Sequence, residues 1–331
     1  MFQKQVIMRR VVYSLTPLFL FSIYLYGWRA IVTVGVAYIF GIGAEYVMEK
    51  SRNKKVSEAV LVTCGIYGLS LPPVTPWWVV AVGIVFAVII GKGVYGGFGR
   101  NIYNPAITGR LFIYITFAAV LSGSWAMAGN FGAGQAGIDA MTAATPLAQI
   151  RGGQQPELLD LFLGLRAGSL GESSILLIIA AAIYLIATGT ANWRLIISTL
   201  VGALVTTIGF FFGGLIPGLN PADTGALYAI AAYLMSGSIM YVAVFMSTDP
   251  VSGPNRPLAQ YLYGFLIGAV SMTIRTFSGF PEGTSFGIML GNTFASLFDE
   301  WSPKPKKKAK KKKSSSSGQS KGGKKPQEAT A

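Results

Sequence analysis

Ten hydrophobic segments constrain this chain more than any other feature of its sequence. Hydrophobic residues make up 52% of the 331 residues and charged residues 12%, about half the charged share of a typical soluble domain. Some segments, such as 77–90, contain no charge. Apolar segments near bilayer length are typical of membrane helices, because a helix satisfies its own backbone hydrogen bonds in lipid. The sequence therefore predicts an all-α polytopic membrane protein with about ten transmembrane helices.

The predicted spans leave one long connection, between the fifth and the sixth. They are 11–26, 30–48, 56–71, 77–93, 107–120, 174–187, 195–214, 226–246, 258–274 and 285–297. The connection, 123–173, has no strong secondary-structure signal. A loop of that length is usually functional or disordered.

A basic segment follows the last span. Eleven of the 27 Lys and Arg residues are lysines between 304 and 325, among serines and glycines with little to bury. This composition predicts disorder. We therefore divide the chain into a transmembrane domain, 1–301, and a disordered Lys-rich cytoplasmic tail, 302–331. The tail does not lead us to predict a nucleic-acid partner.

The distribution of basic residues predicts the orientation. With the N-terminus inside, the inner segments hold twelve Lys and Arg before the tail, and the outer segments hold four. The inner set is Lys4, Arg9, Arg10, Lys50, Arg52, Lys54, Lys55, Lys92, Arg100, Arg110, Arg194 and Arg256; the outer set is Arg29, Arg151, Arg166 and Arg275. The positive-inside bias therefore predicts cytoplasmic termini and an extracytoplasmic 123–173 loop.

Two short matches are consistent with two inverted halves of five spans each. Residues 27–29 (GWR) follow the first span and 192–194 (NWR) the sixth, while prolines end the third and eighth spans. An odd number of spans inverts the second half, as in many transporters whose site lies near mid-membrane. Matches this short also arise by chance, so an inverted repeat and a chance similarity both remain open.

The chain contains few metal-ligating side chains. Histidine is absent and Cys64 is the single cysteine. These counts exclude a histidine-ligated haem, a four-cysteine iron–sulfur cluster and a Cys/His zinc site formed by this chain alone. An organic cofactor is the natural carrier if the protein is redox-active.

The long loop contains a threonine-rich segment, Asp139–Gln149 (DAMTAATPLAQ). Hydroxyls such as those of Thr142 and Thr145 could carry a group. The alternative is that they turn the chain or cap a short helix, and the local sequence favours that interpretation.

Two polar segments are expected on the inner side. One holds glycines and amides between the fourth and fifth spans, and the other holds hydroxyls and a carboxylate after the eighth. Such irregular backbone occurs at membrane depth only when it is buried in protein or faces water. The candidate ligand-binding residues are Gly96, Gly97, Asn101, Asn104, Thr248 and Asp249. The alternative for the first segment is a tight re-entrant turn.

Two loops on the outer side combine glycines with charge, around Arg166 and around Arg275. They could close over the Thr145 loop, where either guanidinium could neutralise a phosphate. The alternative is that they are solvated loops with lone surface cations, and the local sequence favours that interpretation.

Taken together, these segments resemble the family of the Rnf complex D subunit (RnfD) and its relative NqrB, the B subunit of the Na⁺-translocating NADH:quinone oxidoreductase. The resemblance runs in order from about Arg9 to Glu300. It is carried by 95–112 (YGGFGRNIYNPAITGRLF), 168–172 (GSLGE), 245–252 (FMSTDPVS) and the pattern of 274–275, 280–283, 292 and 297–299.

The resemblance implies a ten-helix subunit that carries FMN, joined through its phosphate to a threonine in a Ser/Thr-Gly-Ala-Thr motif. Here the motif is Thr142-Ala143-Ala144-Thr145, with Ala143 in place of glycine, so Thr145 is the implied attachment site and Thr142 the second candidate. It also implies a non-covalent riboflavin near the inner side, for which we favour the segment around Gly96 and Gly97.

The implied function is electron transfer coupled to Na⁺ or H⁺ translocation across a bacterial inner membrane. In an Rnf complex, ferredoxin is oxidised and NAD⁺ is reduced, and the implied partners are the extracytoplasmic FMN-carrying protein RnfG, the membrane proteins RnfA and RnfE, and RnfC. RnfD is preferred over NqrB because the first span begins close to Met1. A redox-silent transporter is the alternative from another class, and a structural scaffold is a third.

Overall fold

The computed structural model describes residues 2–122, 125–129, 131, 144–278 and 283–303. This part of the chain is mostly helical, and each predicted span coincides with a helix or a broken pair of helices. The helices are α1 Val6–Tyr26, α2 Trp28–Ser51, α3 Ala59–Leu69, α4 Trp77–Val88, α5 Pro105–Thr116, α6 Ala118–Ser122, α7 Pro146–Arg151, α8 Leu158–Leu163, α9 Ile175–Ala187, α10 Trp193–Phe212, α11 Ala226–Met235, α12 Ile239–Tyr241, α13 Pro257–Phe277 and α14 Gly283–Trp301.

Short irregular elements extend this framework. The π-helical turns Ile89–Gly93 and Val242–Met246 continue α4 and α12, and the two-residue strands β1 Phe2–Gln3 and β2 Val56–Ser57 pair in parallel. From residue 304 onward, the tail predicted to be disordered lies outside the described residues.

Four of the described helices, α1, α2, α10 and α13, are long and apolar enough to cross a membrane. A fifth candidate span consists of α11 and of α12 with its π-helical turn, bent by 65° at the break. The chain is therefore a multi-pass membrane protein. The total of ten spans stays a prediction, because α3, α4 with its π-helical turn and α9 are apolar but shorter, and α5, α6 and α14 do not meet the same criteria of length and apolarity.

Glycines let the long helices pack closely. A Cβ atom at Gly109 on α5 would collide with the Gly83 carbonyl of α4, and one at Gly268 on α13 would collide with the Thr199 carbonyl of α10. Such small residues are typical of membrane helix interfaces. In this packing α2 contacts α4 and α4 contacts α5, while α10 contacts α13 and α13 contacts α14. In each half, therefore, the second span contacts the fourth and the fourth contacts the fifth, as two repeated halves would. The inversion of one half relative to the other remains a prediction.

Candidate functional site: two cavities on shared helices

One cavity collects three side chains that the sequence predicted to act together, those of Thr145, Arg166 and Arg275. Thr145 precedes α7, and its Oγ1 accepts a hydrogen bond from the Ala148 amide at 3.3 Å. It thus caps a short helix, as the alternative interpretation held, and also lines the cavity. We call this the outer cavity. Asp139 and Thr142 lie outside the described residues, and their roles stay predictions.

The segment 164–173 is built into the protein around Arg166. The guanidinium donates to the carbonyl oxygens of Glu172 (3.0 Å) and Ser173 (3.3 Å), and the Tyr26 hydroxyl donates to the Arg166 carbonyl at 3.0 Å. Burial lowers the pKa of Arg166 to about 10. This loop is therefore a packed wall of the cavity, and the alternative of a solvated loop is wrong.

Arg275 lines the same cavity and is held by α11 and by the break between α11 and α12. Its Nη1 donates to the Tyr233 carbonyl at 3.0 Å, and its guanidinium lies 5.7 Å from the Tyr233 ring centroid. Gly237 stands in the break with φ +97°, and a Cβ there would lie 3.0 Å from Arg275 Nη2. Only glycine combines this backbone angle with room for the guanidinium.

We expect Gly237→Ala to reduce the cavity's capacity to retain an anionic ligand several-fold. The φ of Gly237 costs an L-residue about 1–2 kcal/mol, and the added methyl displaces Arg275. Ligand content per purified chain measures the effect. Gly225→Ala is the matched control, since no atom lies within 4 Å of a Cβ at that position. An unchanged content in Gly237→Ala would show that Arg275 does not depend on this glycine.

Arg110 and Glu172 complete the outer cavity, and neither was a candidate site residue from the sequence. Arg110 Nη1 lies 2.6 Å from Glu172 Oε1, and the two side chains are 1% and 7% exposed. The assignment of Arg110 to an inner connection was wrong, because it lies within α5 and lines the same cavity as Thr145. The missed signal was an arginine within an apolar segment, which usually marks a functional site.

The chemistry of the outer cavity suits an anionic group. Its described lining includes the guanidiniums of Arg110, Arg166 and Arg275 and one carboxylate, that of Glu172. Ser169 also lines it, and its buried hydroxyl has no hydrogen-bond partner in the described part of the chain. A buried hydroxyl is normally satisfied. A phosphate-bearing ligand would supply both the negative charge and the acceptor.

A second cavity lies toward the other end of the same helices. It is lined by four of the predicted inner residues and by Lys92, with apolar walls that include Val62 and Phe245. The four are Asn101, Asn104, Thr248 and Asp249. We call this the inner cavity. Residues of α1, Ile7 among them, form one side of it.

Internal hydrogen bonds fix the polar residues of the inner cavity. Asn104 Oδ1 accepts from the Ala106 amide at 3.0 Å and caps α5, and Asn101 Nδ2 donates to the Tyr103 carbonyl at 3.0 Å. Asp249 accepts from the Val251 amide (3.1 Å) and from the Ser252 hydroxyl (2.7 Å). Thr248 donates to the Val244 carbonyl at 2.6 Å. Burial raises the pKa of Asp249.

Gly96 and Gly97 are not among the residues that line the inner cavity. Both have positive φ, +107° and +98°, and a Cβ at Gly97 would lie 2.7 Å from Glu49 Oε1. The structure therefore gives them the role of a tight turn against α2, which was the alternative interpretation. Their contact with a cofactor stays a prediction.

Lys92 joins the inner cavity to a second buried ion pair, whose contact was not predicted from the sequence. Its Nζ lies 2.7 Å from both carboxylate oxygens of Glu45 on α2, and both side chains are less than 5% exposed. The Lys92 ammonium also lies 5.7 Å from the Phe98 ring centroid.

The two cavities are close together along shared elements. On α5, Asn104 at the N-cap and Pro105 line the inner cavity, and Arg110 lines the outer one. Similarly, Ser238 at the N-cap of α12 lines the outer cavity, and Val244 in the π-helical turn that follows α12 lines the inner one. Six residues of helix correspond to roughly 9 Å of axis. The Tyr241 ring lies within this interval, and its centroid is 4.9 Å from that of Phe245, which lines the inner cavity.

No group of three or more potential metal ligands exists among the described residues.

Comparison with known proteins identifies the family. Residues 2–308 match the model of the NQR2, RnfD, RnfE family. The chain is 31% identical to the D subunit of the ion-translocating oxidoreductase complex of Shewanella amazonensis, over 90% of this chain and 92% of that protein. It is 35% identical to the B subunit of the Na⁺-translocating NADH-quinone reductase of Chromohalobacter salexigens, over 79% of this chain and 63% of that protein. The corresponding Yersinia pestis protein is 34% identical, over 82% and 68%. The chain belongs to the NQR2, RnfD, RnfE family.

Proposed function

We propose that this protein is the D-type membrane subunit of an Rnf complex, an ion-translocating ferredoxin:NAD⁺ oxidoreductase. One observation carries the proposal: the outer cavity brings the Thr145 hydroxyl together with Arg166 and Arg275. Family membership supports a place in a redox-driven, ion-translocating complex. The match over nearly the whole length of the Shewanella D-type protein favours Rnf.

The outer cavity would hold FMN, bound covalently through its phosphate to Thr145. The isoalloxazine ring supplies one- and two-electron chemistry. Thr145 provides the ester oxygen, with Thr142 as the second candidate. Arg166 and Arg275 neutralise the phosphate, since guanidiniums bind phosphate oxygens by charge-assisted hydrogen bonds. Ser169 adds a hydroxyl to the polar lining, and Asp139 stays a predicted contributor.

The inner cavity would hold a non-covalent riboflavin. Its apolar walls suit a flavin ring that lacks a phosphate, and the amides of Asn101 and Asn104 suit polar ring edges and ribityl hydroxyls. Thr248 and Asp249 add a hydroxyl and a carboxylate. Because α5 lines both cavities, and Ser238 and Val244 line one cavity each on the two sides of α12, electrons would cross a short interval between them.

The proposed setting is a bacterial inner membrane. Both termini face the cytoplasm and the loop before Thr145 faces outward, where RnfG would deliver electrons. RnfA, RnfE and RnfC are the other proposed partners. The transported ion is Na⁺ or H⁺.

Two other functions have support. The matches to B subunits of Na⁺-translocating NADH-quinone reductases favour a B-type protein, for which quinone is the acceptor. The bent α11–α12 pair resembles the broken helices of transporters, which favours a redox-silent transporter. Solute flux through the purified chain without any cofactor would support the transporter.

Mass spectrometry of the peptide containing Thr145 tests the proposal directly. The chain is expressed with a flavin transferase, and the expected increment is one FMN less water. In-gel fluorescence of the denatured chain provides a second readout. An unmodified peptide and a dark band would overturn the flavin assignment.

We expect Ala191→Phe to remove most of the dissociable flavin and to leave the covalent flavin unchanged. Ala191 lies in the connection between α9 and α10 and lines the inner cavity. A phenylalanine ring there would therefore fill the cavity without altering a residue within a helix. Acid extraction separates dissociable from peptide-bound flavin. Ala191→Ser is the control, and equal dissociable flavin in both variants would place riboflavin elsewhere.

A further inference from the structure

The Arg110–Glu172 ion pair forms a rigid wall of the outer cavity. Arg110 is fixed on α5, whose first turn is capped by Asn104, and its guanidinium lies 5.7 Å from the Tyr114 ring centroid. Glu172 belongs to the loop that Tyr26 and Arg166 hold in place. An apolar pair of similar volume is often as stable as a buried ion pair. Stability alone therefore gives no reason for two charges at this position.

A bound redox group gives these charges a role. Each electron that enters a flavin adds negative charge, part of which proton uptake cancels. In a buried cavity such charge interacts strongly with fixed neighbours. A guanidinium stabilises the reduced, more electron-rich ring, and a carboxylate stabilises the oxidised ring. Protein charge near the ring is an established means of setting flavin electronics.

We propose that Arg110 and Glu172 set the midpoint potential of the flavin in the outer cavity by opposing electrostatic effects. The inference rests on the proposed attachment of FMN at Thr145. Both residues act through their charge on the cofactor's surroundings; neither is oxidised, reduced or bonded to it. Because Arg110 Nη1 lies only 2.6 Å from Glu172 Oε1, each charge partly offsets the effect of the other on the flavin.

Two single substitutions and their combination test the proposal. Glu172→Gln leaves the guanidinium without its carboxylate and is expected to raise the midpoint potential. Arg110→Gln leaves the carboxylate and is expected to lower it. In the double variant the two shifts are expected to cancel largely. Arg110→Lys keeps the charge and is expected to retain a potential near that of the unaltered protein.

The measurement is a redox titration of the purified full chain at fixed pH, followed by the visible absorption of the flavin. Thr145→Val supplies the baseline, since it retains only dissociable flavin. Shifts of the same sign in both single variants, no shift in either, or a shift in Arg110→Lys as large as in Arg110→Gln would overturn the proposal. A purely structural role does not produce opposite shifts that cancel.

A further variant decides the matter if a single variant loses its flavin. Ser169→Asp adds a carboxylate to the same wall and leaves the ion pair in place, so it is expected to lower the potential; an unchanged potential overturns the proposal. Failure of the proposed function has a different signature. In that case the unaltered chain carries no flavin on Thr145.

Discussion

Replacing Thr145 by valine is expected to abolish the covalently bound flavin completely. Valine has nearly the same shape but lacks the hydroxyl that would form the phosphate ester. The in-gel fluorescence of the denatured chain should fall to background. The peptide containing residue 145 should lose the increment of one FMN less water.

Two controls separate loss of the acceptor from loss of the helix cap. The Thr145 hydroxyl also caps α7, and losing a cap costs about 1 kcal/mol. Thr145→Asn keeps a capping oxygen without an acceptor hydroxyl, so it should be as dark as Thr145→Val. Thr142→Val should remain fluorescent. A fluorescent Thr145→Val together with a dark Thr142→Val would move the attachment site to Thr142.

The sequence predicted the helical membrane architecture because long apolar segments have few stable alternatives in lipid. It also predicted that Thr145, Arg166 and Arg275 would meet, although they are far apart in the chain. That prediction required the family resemblance, since the local sequence alone favoured a turn at Thr145 and solvated loops at the arginines.

The ion pairs could not be predicted in the same way. Arg110 and Glu172 are 62 residues apart and Glu45 and Lys92 are 47 apart, so their contact depends on helix packing. The topological count also placed Arg110 on the inner side, because it treated each basic residue near a span end as a surface charge. Because Arg110 is buried and paired with Glu172, it gives no information about which side of the membrane it lies on. The glycines at 96 and 97 were informative about the backbone, which turns there with positive φ.

Replacing Lys92 by methionine is expected to destabilise the protein by about 3–5 kcal/mol, the usual effect of removing one partner of a buried ion pair. The Glu45 carboxylate would remain between α2 and the π-helical turn Ile89–Gly93 without the Lys92 ammonium. For a chain of this size the loss corresponds to a fall of roughly 10 °C in the unfolding midpoint. Cys64 provides a native reporter, because it is the single cysteine and is fully buried.

The measurement follows the reaction of Cys64 with a thiol-reactive fluorophore as the detergent-solubilised protein is heated, since a buried thiol reacts only when the structure opens. Glu45→Gln/Lys92→Met removes both charges and should recover most of the lost stability. Arg9→Ala breaks the Arg9–Glu58 pair, in which the arginine is 44% exposed, and should change the midpoint little. If Lys92→Met and the double variant unfold at the same temperature, the loss comes from packing of the lysine side chain and not from its charge.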